Sequence, residues 1–143
     1  MFRVRIKNDT LQKISNYVNK PHEQIGLLIG RFESGELVVT ESINGTCEAD
    51  RTCSVFSQDL LAEVADDILN NRLDGSIVGW YHTHLGGGIF MSSVDIDTQR
   101  NLQQFSKYVI SMIIDTSTHQ FGVFVYDAQL GPVQIPSEMI TIY

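Results

Sequence analysis

Apolar and polar positions change period several times along the chain, and each change predicts an element. Phe2 to Lys7 alternates apolar and basic side chains, the two-residue period of a short strand. The Asn8-Asp9-Thr10 cluster supplies N-cap chemistry for a helix whose apolar face is Leu11, Ile14, Tyr17 and Val18. Lys20-Pro21 closes that helix, because proline disfavours the helical region for the residue before it. Ile25 to Arg31 reads as a buried strand, Glu33-Ser34-Gly35 as a turn, and Glu36 to Ile43 as the returning arm of a hairpin.

Asn44 to Ser54 is polar and reads as a loop. Ser57 is the N-cap of a second helix, with Asp59 and Glu63 in its early turns, where they favour the helix dipole. Its apolar stripe is Leu60, Leu61, Val64, Ala65, Ile68 and Leu69. Asp74-Gly75 turns the chain into a strand, Ser76 to His84, followed by the glycine loop Gly86, Gly87, Gly88 and a helix from about Val94 to Phe105. Strands at Tyr108 to Ile114 and Phe121 to Tyr126, a turn near Gly131-Pro132 and one last strand ending at Tyr143 complete the pattern. With no linker, repeat or low-complexity stretch, residues 1–143 are expected to form one α/β domain, a mixed, partly antiparallel sheet flanked by helices.

Composition narrows the partners. A hydrophobic content of 43% over 143 residues suffices for a sizeable core. The formal net charge of -7 opposes binding to a phosphate backbone, so nucleic acid is not an expected partner, whereas a basic protein surface is. No apolar run is long enough to span a bilayer, and Met-Phe-Arg-Val-Arg at the start is not a signal segment; no membrane partner and a cytoplasmic location are expected. Cys47 and Cys53 lack the second pair that a four-cysteine zinc site needs and read as two unbonded loop thiols, a disulfide being the alternative in a hyperthermophile.

Candidate chemistry lies in Trp80-Tyr81-His82-Thr83-His84 and the Ser92-x-x-Asp95 that follows. Residues two apart on a strand share a face, so His82 and His84 project together. Asp95 falls near the start of the next helix, and the Gly86–Gly88 loop can bring it back to the strand end. Two imidazoles and one carboxylate suit Zn²⁺ and leave a fourth position for water, which zinc activates by lowering its pKa to about 7. A nearby carboxylate can take the proton and deliver it to a leaving amine. Glu23, just ahead of the strand beginning at Ile25, is one choice among several acids for that task. Ser92-x-x-Asp95 by itself is equally a helix capping box.

Taken together, Glu23, His82-Thr83-His84 and Ser92-x-x-Asp95 match the signature Glu…His-Ser/Thr-His-x7-Ser-x2-Asp, and the chain resembles the JAMM (MPN+) metalloprotease family. Gly79 to His84, Ser92 to Gln99 and Ile113-Ile114-Asp115-Thr116 are similar to its proteasome-lid and COP9-signalosome branches. The resemblance implies a cytidine-deaminase-like fold and a zinc-dependent isopeptidase acting on a ubiquitin or ubiquitin-like protein at its C-terminal glycine. It implies that His82, His84 and Asp95 hold the metal, that Glu23 is the general acid/base, and that Ser92 hydrogen-bonds the oxyanion. The proteasome or another MPN subunit is a further implied partner. Two departures stand in the loop implied to bind the substrate, Leu85, Gly86, Gly87, Gly88, Ile89 and Phe90: Leu85 replaces the family's proline, and Ile89-Phe90 replaces a Cys-Trp pair. Both bear on substrate choice rather than on metal chemistry. The modifier's tail is expected to add as a strand beside the active-site edge. Competing readings are a non-catalytic MPN scaffold and a metallohydrolase of other amides.

Overall fold

The Ser34-Gly35 turn sets the first hairpin: both residues have positive φ (53° and 77°), the left-handed pair that matches the twist of the flanking strands. In the computed structural model, which describes residues 2–45, 56–104, 106 and 108–143, that turn joins β2 (Ile25–Glu33) to β3 (Glu36–Asn44). Ahead of them come β1 (Arg3–Ile6) and α1 (Asn8–Tyr17); after them α2 (Gln58–Leu69), β4 (Ser76–His84) and α3 (Ser93–Leu102). The chain closes with β5 (Ile110–Asp115), β6 (Gln120–Asp127), β7 (Gly131–Gln134), a 3₁₀ turn (Ser137–Met139) and β8 (Ile140–Ile142).

These strands make one mixed sheet in the order β7-β6-β5-β4-β2-β3-β1-β8. Pairings of β1 with β3, β1 with β8 and β4 with β5 are parallel; the others are antiparallel. Two apolar clusters cover its faces. Val4, Ile6, Leu28, Tyr81 and Met112 pack with Ile14 and Val18 on the α1 side. Ile25, Leu27, Ile29, Trp80 and Ile113 pack with Val64 of α2 and Leu102 of α3 on the other.

Strand β4 does not alternate regularly. Gly79 lies opposite Leu28 but Ile77 lies opposite Ile29, so one extra residue is accommodated between them as a bulge. Ile77 and Trp80 therefore share the α2/α3 side, while Val78 and Tyr81 share the α1 side, a spacing of three that a regular strand cannot give. This break in the pleat points Trp80, and with it His82 and His84, toward α3. Gly79 is required at the bulge, because a Cβ there would come 2.5 Å from the Ile110 carbonyl oxygen.

Several expected boundaries move. Helix α1 begins at Asn8 with Lys7 at the cap position and no side-chain cap, so Asn8-Asp9-Thr10 is its first turn rather than its cap. Thr10 instead turns inward and donates to the Thr40 carbonyl at 2.8 Å, which holds α1 to β3. Ser57 does cap α2, accepting from the Leu60 N–H. Of the α2 stripe only Val64 is buried, and Leu69 at the helix end is 81% exposed. Helix α3 ends at Leu102; Phe105, its expected end, lies outside the described residues. The expected last strand is two strands, β7 and β8, on opposite edges of the sheet. Pro132 sits within β7, where an edge strand tolerates the missing N–H. Most of the expected Asn44 to Ser54 loop, with Cys47 and Cys53, also lies outside the described residues. Among the described residues no helix is long and apolar enough to cross a membrane.

Candidate metal centre

His82 and His84 end the central strand β4. Their neighbour Thr83 points the other way and ties this strand end to the start of β2. Its hydroxyl accepts from the Gln24 N–H at 2.7 Å, and its own N–H donates to the Gln24 carbonyl at 3.0 Å. Because β2 runs antiparallel to β4 with Ile25 opposite His82, the residue just before Gln24 arrives beside the first histidine. That residue is Glu23, with Oε2 3.3 Å from His82 Nε2: within ion-pair range, but off the alignment of a hydrogen bond.

Asp95 comes from the other layer. Ser92 is the N-cap of α3; its side chain accepts from the Asp95 N–H at 3.1 Å, and Asp95 Oδ2 accepts from the Ser92 N–H at 3.0 Å. This reciprocal capping box fixes the first turn of α3 and turns the Asp95 carboxylate toward the sheet. His82 Nδ1 lies 2.7 Å from Oδ1 and His84 Nε2 lies 3.1 Å from Oδ2. All three residues are buried, Asp95 completely.

A buried carboxylate is stable as an anion only when its oxygens are satisfied. Burial pushes the Asp95 carboxyl up, but the bonds from His82, His84 and the Ser92 N–H outweigh it and hold the group well below the ordinary aspartate range. In return, Asp95 raises the His84 imidazole above its ordinary value, against the desolvation that would lower it. The three side chains each offer one ligating atom within 4.8 Å of the others. His82 Nε2 and His84 Nδ1 are buried with no hydrogen-bond partner, a cost that metal binding or reorientation around a cation relieves. Two nitrogens and one carboxylate oxygen are the donor set of an open zinc site, so these residues fit the metal.

An open cleft of about 370 Å³ lies over the cluster, lined by Glu23, His82, His84, Leu85, Gly86, Phe90, Ser92 and Val94. Every site residue the sequence singles out on β4, ahead of β2 and at the head of α3 is thus brought together. The loop residues divide. Leu85, Gly86 and Phe90 line the cleft, with Leu85 and Phe90 about half exposed and the Phe90 ring 4.9 Å from the His84 ring. Gly87, Gly88 and Ile89 do not line it: Ile89 packs into the apolar cluster and fills the space left by Gly122. Both sides of β4 are hydrogen-bonded, to β2 and β5, so the histidine strand has no free edge for an added strand.

Four supporting residues lie within the segments that carry the resemblance, although the signature itself assigns them no role. Val94 joins Leu85 and Phe90 as an exposed apolar side chain on the cleft wall. Asp115, opposite His84 on β5, accepts from the Gly88 N–H at 3.2 Å and from the Ser117 N–H and hydroxyl, staples that hold the glycine loop. Hydrogen bonds from Ser117 hold the Asp115 carboxyl below its ordinary value. Thr116 donates twice to the His84 carbonyl. Gln99, completely buried one turn after Asp95, was findable, because residues four apart share a helix face.

Residues 1–107 match the family model described as JAB1/Mov34/MPN/PAD-1 ubiquitin protease. The chain is 32% identical over 110 residues to the 26S proteasome regulatory subunit RPN11 of Eremothecium gossypii, covering 76% of this chain and 35% of that protein. It is 30% identical over 110 residues to the Saccharomyces cerevisiae ubiquitin carboxyl-terminal hydrolase RPN11, covering 76% of this chain and 36% of that one. To the Neurospora crassa COP9 signalosome complex subunit 5 it is 33% identical over 98 residues, 65% of this chain and 29% of the relative. The matched region is about a third of the length of these relatives.

Proposed function

This chain belongs to the JAB1/Mov34/MPN/PAD-1 ubiquitin protease family, and from that premise we propose that it is a zinc-dependent isopeptidase, cleaving a ubiquitin or ubiquitin-like modifier after its C-terminal glycine. The observation that carries the reading is the convergence of His82, His84 and Asp95 under an open cleft, with the Glu23 carboxylate 3.3 Å from His82.

In this reading His82, His84 and Asp95 hold the zinc. When bound, zinc supplies a Lewis acid that brings the pKa of water to about 7 and polarises the scissile carbonyl. Glu23 supplies the base. Its side chain is about one quarter exposed, at the wall of the cleft, so its carboxylate is accessible to a reacting group while its backbone is anchored through Gln24 to β4. Its carboxylate takes a proton from the attacking nucleophile and returns it to the lysine amine as that leaves.

Ser92 serves two ends without conflict. Capping uses a lone pair of its Oγ, which accepts from the Asp95 N–H, and this leaves the hydroxyl hydrogen available. That hydrogen is donated to the oxyanion, a charge that exists only as the carbonyl is attacked. The apolar wall of Leu85, Phe90 and Val94 holds the residues ahead of the terminal glycine. Two of the relatives are named as subunits of the 26S proteasome and of the COP9 signalosome; this chain is proposed to act beside the proteasome or another MPN subunit.

The test is a Glu23→Gln variant assayed on a modifier–lysine conjugate, with zinc content measured in the same preparation. Cleavage lost with zinc retained supports the role; a fully active variant removes it.

A further inference from the structure

The two layers that meet at the metal centre are joined by one buried amide. Gln99, on α3, is completely buried, as is Ser111 on β5 and Trp80 on β4. Gln99 Oε1 accepts from the Trp80 indole N–H at 2.8 Å and from the Ser111 hydroxyl at 2.5 Å. Its amide N–H donates to the Val109 carbonyl at 2.7 Å. Both acceptor lone pairs and one donor are thus used, toward two strands and the residue that leads into β5. Apolar side chains pack about these bonds: Trp80 lies in one cluster with Ile25, Leu27, Leu102 and Ile113. A polar network in such surroundings is costly unless fully satisfied, and when satisfied it fixes one arrangement of the elements it joins. An apolar residue at position 99 would serve packing alone.

What the network fixes is the spacing between ligands. Gln99 lies one helical turn beyond Asp95 and shares its face, so the rotation of α3 that seats Gln99 also aims Asp95. Trp80 lies two residues before His82 on the same strand face, and its ring stacks on the His82 imidazole at 6.0 Å and 21°. The Trp80–Gln99 bond therefore couples the strand that carries both histidines to the helix that carries the aspartate. Resting on the reading that His82, His84 and Asp95 hold a metal, we infer that Gln99, through Trp80, is the positioning residue that sets the ligand geometry and so the metal affinity. Its side chain bonds to Trp80, Ser111 and Val109 rather than to a metal ligand, and it does not line the cleft.

Gln99→Met keeps the side-chain volume and removes the hydrogen bonds. Zinc affinity is measured by competition with a chromophoric chelator, and ligand geometry by the visible spectrum of the cobalt-substituted protein. Gln99→Met is expected to bind zinc about 10- to 100-fold more weakly than wild type, the range for losing a group that orients metal ligands, with a changed cobalt spectrum. Leu102→Ala, on the same helix and in the same apolar cluster but outside the network, is the control. It is expected to lower Tm while keeping affinity and spectrum. Should Gln99→Met fail to fold, Trp80→Phe cuts only the strand-to-helix bond, keeps a ring over His82 and is expected to weaken zinc in the same direction. Folded Gln99→Met or Trp80→Phe with wild-type affinity and spectrum overturns the inference, as does an equal loss of affinity in Leu102→Ala. A wild-type protein that binds no zinc removes the functional reading itself; one that binds zinc yet cleaves no modifier conjugate leaves the positioning role standing.

Discussion

At the scale of single residues, activity turns on which atoms carry protons. Glu23→Gln keeps the shape of the side chain but cannot accept a proton, and kcat is expected to fall about 10²- to 10⁴-fold with zinc retained. Measured zinc stoichiometry beside steady-state rates checks both halves. The His84–Asp95 pair gives a second expectation. Bonding to Asp95 raises the folded His84 pKa above its unfolded value. The stability it contributes is therefore complete below the unfolded histidine value and lost as pH rises through the folded one. Asp95 is depressed despite burial, chiefly by His82 and His84, so its contribution is present above the unfolded aspartate value and lost as pH falls through the folded one. Chelator-treated protein should thus have its highest Tm at mildly acidic pH and lose stability toward alkaline pH. Zinc affinity should move the opposite way, rising with pH, because the metal competes with the proton on His84. Thermal unfolding across pH with and without zinc reads both trends.

At the scale of elements, α3 and the glycine loop shape the site. Ser92→Ala removes an N-cap acceptor, which costs about 1 kcal/mol of stability, and removes the oxyanion donor, which costs about 10²- to 10³-fold in kcat. A purely structural serine would show the first effect without the second. Asp115→Ala frees the Gly88 N–H and the Ser117 turn, and the loop that carries Leu85 and Phe90 loses its staple. KM for a modifier conjugate should rise while zinc affinity stays at the wild-type value, since Asp115 is bonded to no ligand side chain. The sequence showed the elements more clearly than their ends. Alternation and the Ser34-Gly35 turn sufficed for the β2–β3 hairpin, and the two-residue period of His82 and His84 sufficed for their shared face. The bulge between Ile77 and Gly79 did not show, because a bulge is set by pairing with a partner strand. The expected Asn8–Thr10 cap failed because Thr10 is drawn inward to β3, a tertiary bond that local propensity does not contain.

At the scale of the whole molecule, the site sits where the end of the sheet's central strand meets the head of α3, so chain segments far apart in sequence converge on it. Asp95 could be placed from its nearness to the histidine strand. Glu23 could not be chosen among the acids from its own surroundings, since its arrival beside His82 depends on antiparallel pairing between β2 and β4. The division of the tail of the chain into two opposite edge strands was likewise invisible, because sheet order is decided by which edges are left open. Zinc binding links the layers of the fold, so saturation at 100 times Kd should add about 2.7 kcal/mol to the stability of the folded chain, read as a Tm increase that chelator reverses.

The most direct test of the central claim is cleavage of a modifier–lysine conjugate by the zinc-loaded chain, by the same protein after chelation, and after zinc is restored. The account predicts cleavage after the terminal glycine by the loaded chain, loss on chelation, recovery with zinc, and no recovery in Glu23→Gln. Cleavage that survives complete removal of metal, or that Glu23→Gln carries out at the wild-type rate, would contradict it.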